Sequence, residues 1–399
     1  MQRMQEQANR VFTSKRFNLF AFAIIAVLVL LAYSNTFSSA FHFDDNPSIV
    51  ENGSIRHFSW DSFVAQFSGT RPIVNLSLFF NYALSGMNVV GWHIVNIGLH
   101  IANSIFLYLF ILWTLNLPSL YARYGGGRAK RMALFGSLLF ALHPVQTESV
   151  TYIISRTELL ATFFYLATFL FFIKGVRTSK FGYFIGCFFM SLLAMGSKEW
   201  AVTLPAMILL YDFLFIAEGK IQTMLTRSMA YILVALPWGY VAYNLTSSKL
   251  SGAGFGISGQ NNITPWTYLL TSLNVLWTYI RLLFFPVNQN LDYTYPLAKT
   301  LFEFPTLLSL FGHICVVCAS LWFYVKKRWT LLPFGAAWFY ITLSPTQSFV
   351  PILDVIFEHR LYLPSIGFCI FFIVAFEGLF DWVEKKKAMK AQSAPAHIS

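Results

Sequence analysis

Apolar stretches close to the ~20 residues needed to cross a hydrocarbon core recur from Phe17 to the C-terminus, separated by short polar segments. The pattern predicts spanning helices at 17–33, 92–115, 131–142, 157–173, 181–196, 200–217, 228–246, 305–325, 329–343 and 363–382. The stretch 266–287, which carries Arg281, reads as an outer-face interfacial or re-entrant helix. An amphipathic stretch at 73–86, after Arg71-Pro72, reads as a helix lying in the interface. The fold class expected is all-α, a polytopic bundle of about 10 to 12 membrane helices with interfacial helices outside, because helices satisfy their own backbone in lipid.

Composition supports this. With 56% hydrophobic, 18% aromatic and 11% charged residues, the chain has too little polar surface to coat a soluble globule of 399 residues. The net charge of +11 raises nucleic acid as a partner, but Lys and Arg sit in short loops between apolar segments, where the positive-inside rule accounts for them. With the N-terminus cytoplasmic, 20 of the 28 basic residues fall on the cytoplasmic side. They cluster at Arg123/Arg128/Lys130/Arg131, Lys174/Arg177/Lys180, Lys220/Arg227, Lys326/Lys327/Arg328 and Lys385/Lys386/Lys387/Lys390. The first apolar segment follows Arg3, Arg10, Lys15 and Arg16 as a signal peptide would, without an Ala-x-Ala cleavage site, so it is expected to be retained. The expected organisation is a cytoplasmic N-terminus at 1–16, a membrane domain at 17–383 and a basic, disordered cytoplasmic tail at 384–399, its lysines meeting anionic headgroups. Outer loops fall at about 34–91, 143–156, 247–304 and 344–362, by the same charge rule. Cys187, Cys315, Cys318 and Cys369 lie in apolar stretches without a second metal-ligand pair, which argues against a zinc site or disulfide framework.

The residues able to carry chemistry lie in the outer loops. Phe41-His42-Phe43-Asp44-Asp45-Asn46-Pro47 sets two adjacent carboxylates just above the first helix. Adjacent acids repel, which raises the pKa of one and fits it for general-base work or metal ligation; a turn capping a following helix is the simpler alternative. His143-Pro144-Val145-Gln146-Thr147-Glu148 leads on to Arg156; one continuous helix there would put Glu148 and Arg156 on a shared face. Lys198-Glu199 forms a tight outer turn. Leu291-Asp292-Tyr293 sets aromatics beside an acid, a pairing suited to sugars but also common at membrane interfaces. Asp354, Glu358, His359 and Arg360 crowd the entrance to the last helix, and Arg360 is placed to grip an anionic headgroup bidentately. Arg56, Arg71, Arg156, Lys198, Lys249, Arg281, Lys299 and Arg360 break the positive-inside pattern, and a phosphate ligand is one reason for a cation to do so.

In order along residues 15–383, these motifs resemble the membrane half of the transmembrane and tetratricopeptide-repeat O-mannosyltransferases and their prokaryotic relatives, in the GT-C superfamily. They are Phe43-Asp44-Asp45-Asn46, Arg71-Pro72, Gly91-Trp92-His93-Ile94-Val95-Asn96 with His100, His143 to Glu148 with Arg156, Lys198-Glu199, Leu291-Asp292-Tyr293 and Glu358 to Ser365. The resemblance implies transfer of a sugar from a polyprenyl-phosphate carrier, with Asp44 and Asp45 as the catalytic pair. The expected reaction is inverting: Asp45, or Asp44, deprotonates the acceptor hydroxyl. Arg360, Arg156, Lys198 or Arg281 is expected to stabilise the leaving phosphate. A divalent cation, Mg2+ or Mn2+, on Asp44, Asp45 and Glu148 is the other candidate for that charge, and the sequence leaves the choice open. His143, Glu148, Glu199, Asp292, Tyr293, Glu358 and His359 are the expected substrate-binding groups. The chain ends at Ser399 without tetratricopeptide repeats, which leaves the acceptor, protein or glycan, open and points to a bacterial inner membrane with the site facing outward. A multi-pass transporter or lipid flippase is the alternative class; it predicts inverted repeats and matching broken helices, which the sequence does not show.

Overall fold

The computed structural model describes residues 15–250, 263–327, 329–352 and 354–393, and among these no strand occurs. The basic residues Arg3, Arg10 and Arg328, the Gly/Ser/Asn-rich loop at 251–262 and the end of the tail at 394–399 lie outside the described residues. Eleven helices build the bundle considered below: α1 (Lys15–Ala32), α2 (Pro72–Ser85), α3 (Val89–Leu115), α4 (Gly127–Leu142), α5 (Arg156–Thr178), α6 (Gly182–Met195), α7 (Leu204–Tyr211), α8 (Pro265–Phe284), α9 (Phe304–Lys327), α10 (Leu331–Leu343) and α11 (Ser365–Ser393).

Among the described residues, five segments are long and apolar enough to cross a membrane: Val89–Leu115, Ile153–Thr178, Glu199–Ile216, Phe304–Lys326 and Ser365–Glu384. Shorter apolar helices at Arg16–Ala32, Gly182–Met195 and Leu331–Leu343 accompany them. The larger number of spans read from the sequence is therefore met only in part. The stretch 228–246 breaks near Pro237 into Ser228–Ala235 and Trp238–Leu250, since proline removes a ladder hydrogen bond. The stretch 266–287 forms α8, started by a reciprocal cap between Thr264 and Thr267. Its buried residues, Tyr268, Thr271, Ser272, Val275, Tyr279 and Leu282, recur at helical spacing and seat one face against the core. α11 runs on to Ser393, so the disorder expected from Glu384 onward gives way to helix. Lys, Ala, Met and Gln are good helix formers and simply continue its register.

α3 and α5 form the centre, with α4, α6, α10 and α11 packed around them and α1 against α3 and α4. α1 shows the local logic: Ala21, Ile25 and Val29, four residues apart, are buried, while Leu19, Phe20, Val27 and Leu31 are exposed, as suits lipid. α10 and α11 touch backbone to backbone, and a Cβ on Gly367 would lie 2.3 Å from the Gly335 carbonyl oxygen. α9 sits at the edge, only 17% of its apolar window being buried against 72% for Ile153–Thr178.

A polar stripe runs down the buried side of α3. His93 bonds the Ser39 carbonyl, Asn96 donates toward the Val150 and Ile153 carbonyls, His100 bonds Tyr362 and the Ala141 carbonyl, and Asn103 donates to Tyr362 and the Leu159 carbonyl. These positions repeat at i, i+3, i+7 and i+10, so one face of the helix carries all four.

Candidate active site

The loops expected on the outer face are joined by direct side-chain bonds. In the first loop, Phe43 has φ +43°, a left-handed conformation rare for a bulky residue and frequent where a site over-determines its backbone. It turns the chain so that Asp45 Oδ2 accepts the His42 N–H at 3.1 Å, while Oδ1 accepts the Ile154 N–H at 2.8 Å. Asp45 is 1% exposed, and burial raises its pKa. Asp44 is exposed at the side chain, and its backbone N–H is held by the Tyr152 hydroxyl at 2.9 Å. The two adjacent acids thus face different surroundings.

The second loop begins with His143, whose Nδ1 accepts the Val145 N–H and whose Nε2 meets the Leu283 carbonyl at 2.9 Å, a structural cap. Glu148 lies in the first turn of Thr147–Thr151, and the chain becomes extended at Tyr152 before α5 begins at Arg156. Glu148 and Arg156 therefore do not share a helix face, contrary to the single-helix expectation. Arg156 is fully buried. Its Nε donates to Asn96 Oδ1, its Nη1 to the Ser77 carbonyl and hydroxyl, and its Nη2 to Asn81 Oδ1 and the Trp92 carbonyl. All five N–H groups of a guanidinium are engaged by neutral acceptors.

Glu148 faces the last loop. Its Oε2 accepts the His359 N–H at 2.9 Å, and its Oε1 lies 2.5 Å from His359 Nδ1. Burial pushes Glu148 up to about 8 and holds His359 well below its usual value, with Lys198 and Arg360 adding to the latter effect. At neutral pH the pair shares one proton and carries no net charge. His359 Nε2 lies 3.9 Å from Glu158 Oε1, which is ion-paired with Lys198 at 2.5 Å; Glu158 Oε2 accepts the Trp200 indole N–H. Glu199 takes a bidentate bond from Arg71. Glu358 is saturated differently, by the Asn290 N–H, the Gln289 amide and the Tyr293 hydroxyl.

Arg360 stands apart from these cations. It is 9% exposed, its guanidinium lies over the Phe357 ring at 5.2 Å, and its Nη1 is buried without a hydrogen-bond partner. Asp354 lies within electrostatic range of Arg360, Asp292 and Asp44. Asp292 and Asp354 are exposed. Arg281 is exposed and donates to the Val287 carbonyl, on the Tyr293 and Tyr295 side. Among the described residues no group of three His, Cys, Asp or Glu side chains is arranged to hold a metal ion. Asp44, Asp45 and Glu148 do not fit a cation, since Asp45 is spent on backbone N–H groups and Glu148 on His359. The sequence reading gave no role to Glu158, Ser77 or Asn81, and quoted Asn96 only within a motif. Ser77 and Asn81, four apart in an apolar helix, were a usable signal for the residues that hold Arg156.

The sequence is related to proteins of one kind, membrane-associated in resemblance and named as sugar transferases. Protein O-mannosyl-transferase TMTC4 of Homo sapiens is 26% identical over 426 residues, covering 92% of this chain and 57% of the relative. Protein O-mannosyl-transferase Tmtc3 of Drosophila melanogaster is 26% identical, covering 91% of this chain and 46% of the relative. Protein O-mannosyl-transferase TMTC2 of Homo sapiens is 30% identical over 51% of this chain and 25% of its own length. The chain spans about half the length of the first two relatives. The O-mannosyltransferase resemblance read from the motifs thus holds over most of the chain, and no transporter's name occurs among these three. No family model matches the sequence, and no solved structure matches it.

Proposed function

We propose that this chain is a membrane mannosyltransferase that moves mannose from a polyprenyl-phosphate carrier to a hydroxyl of a protein or glycan acceptor. The observation that carries the reading is Arg360: a nearly buried guanidinium with an unpartnered N–H, whose neighbour in charge, Asp354, also feels the exposed Asp44. Of the four cations expected at the phosphate, Arg156 is saturated, Lys198 is paired with Glu158, and Arg281 is exposed at the side. Arg360 remains available for an anion.

Of the two acids expected to serve as base, the geometry favours Asp44. Asp45 anchors the loop, so Asp44 acts as the base. Asp44 takes the proton of the acceptor hydroxyl while its oxygen attacks the anomeric carbon from the face opposite the carrier. The bond from that carbon to the phosphate oxygen breaks, the phosphate keeps the electron pair, and Arg360 stabilises the added charge. Configuration at the carbon inverts. The charge pattern supports a site on the non-cytoplasmic side, which for a bacterial inner membrane is the periplasm.

The test is transfer from synthetic polyprenyl-phosphate mannose, with the glucose and galactose carriers beside it. Arg360→Ala is expected to raise the donor KM roughly 10- to 100-fold, the worth of a charge-assisted contact, and Arg360→Lys to recover part of it. Unchanged donor KM in the Ala variant refutes the assignment of Arg360. No transfer from any carrier by the wild-type protein refutes the reaction.

A further inference from the structure

We infer that Glu148 is a positioning residue for Arg360, gripping the neighbouring His359 and so fixing where the guanidinium points. The inference rests on the reading of Arg360 as the donor-phosphate ligand. Arg360 sits on a single helical turn, Glu358–Leu361, too short to be rigid through its own backbone ladder. Its direction is therefore set by whatever holds the turn.

Three groups do so. The Tyr279 hydroxyl bonds both the carbonyl and the N–H of Phe357. Glu358 is tied to the segment 289–293. His359, the residue directly before Arg360, is held on its N–H and its ring by Glu148, while the Ser149 hydroxyl reaches its carbonyl at 3.4 Å. The Glu148 grip is the one closest to Arg360 along the chain. It is also a neutral grip. An ionised carboxylate there would compete with a ligand for the positive field of Arg360, whereas the burial that keeps the Glu148–His359 pair uncharged leaves that field to the substrate. On the far side, Glu158 has its own cation in Lys198, so it does not draw on Arg360.

This role predicts a specific pattern in donor kinetics. Glu148→Ala frees His359 and is expected to raise the donor KM about 10-fold, as a misplacement of a binding group does, with kcat falling less. Glu148→Gln reproduces the protonated acid, its amide oxygen accepting the His359 N–H and its amide N–H donating to Nδ1. It is expected to recover most of what Ala loses. Combined with Arg360→Ala, Glu148→Ala should add little, because both act on one contact. If the Ala protein does not fold, Glu148→Asp takes its place; its shorter side chain reaches one of the two His359 groups and should give an intermediate KM.

Three outcomes overturn the inference. The first is loss of turnover in Glu148→Gln, which would make the ionisable proton itself essential. The second is a fully additive double variant. The third is a donor KM unchanged in Glu148→Ala, or in Glu148→Asp where it stands in, while Arg360→Ala raises it. An unchanged KM in Arg360→Ala overturns instead the reading on which the inference stands.

Discussion

Replacing Arg156 by Lys separates a framework cation from a phosphate ligand. The arginine engages five acceptor atoms on Ser77, Asn81, Trp92 and Asn96, and its guanidinium lies 5.3 Å over the Trp92 ring. A lysine keeps the charge but has three donors on one atom, so at least two buried acceptors lose their partner. At about 1–3 kcal/mol for each buried group left unpaired, the substitution costs about 2–6 kcal/mol. That is a large share of a total stability of about 5–15 kcal/mol. Melting of the detergent-purified variant, followed by intrinsic fluorescence, should fall by roughly 4–24 °C on the scaling for large domains. The donor KM, measured well below the transition, should stay close to wild type. An unchanged melting curve with a raised donor KM would refute this reasoning and return Arg156 to the carrier phosphate.

Asp44→Asn should leave melting near wild type, since the side chain is exposed, while turnover falls about 100- to 10,000-fold, the range for loss of a general base. Asp45→Asn turns an amide N–H toward one of two backbone donors and should lower melting with a smaller loss of turnover; wild-type turnover in Asp44→Asn would return the catalytic role to Asp45. Single cysteines at positions 45, 148 and 360 should be labelled by an impermeant thiol reagent only from the non-cytoplasmic side, each scored in membranes opened to expose buried loops as a control. Labelling of position 45 from the cytoplasmic side alone would invert the topology. Burial raises Glu148 above its unfolded value, so its share of stability is full below about pH 4.5 and is lost as pH rises through about 8. Melting should therefore decline less steeply between those pH values in Glu148→Gln than in wild type, and parallel declines would show that Glu148 is not the group titrating.

The apolar pattern made most of the helices legible, down to the helix after Pro72. The roles of individual charged residues were not. Arg156 and Arg360 look alike as outer basic residues at helix entrances, yet one is saturated and the other has an unpartnered N–H. The difference lies in partners far along the chain: Asn96 is 60 residues from Arg156, and Glu148 is 211 residues from His359. Spacing reports which residues share a helix face, not which distant group fills a donor's last valence. Glu358 misleads for the same reason, since the loop segment that saturates it lies more than 60 residues upstream. The break at Tyr152 was also hidden, because no Gly or Pro marks it between Pro144 and the start of α5.

The polar stripe on α3 bears on how the chain is made. His100 and Asn103 share the Tyr362 hydroxyl, which follows them by 262 and 259 residues. At roughly 5–20 residues per second of synthesis, α3 waits roughly 13–52 s for that partner to emerge. Through that interval its polar face must be shielded by α4 and α5 or by the insertion machinery, since lipid offers it no hydrogen bonds. The segment around Tyr362 therefore closes the assembly as well as bearing Arg360, and the binding turn acquires its final shape in the same event that seals the first-made half of the bundle.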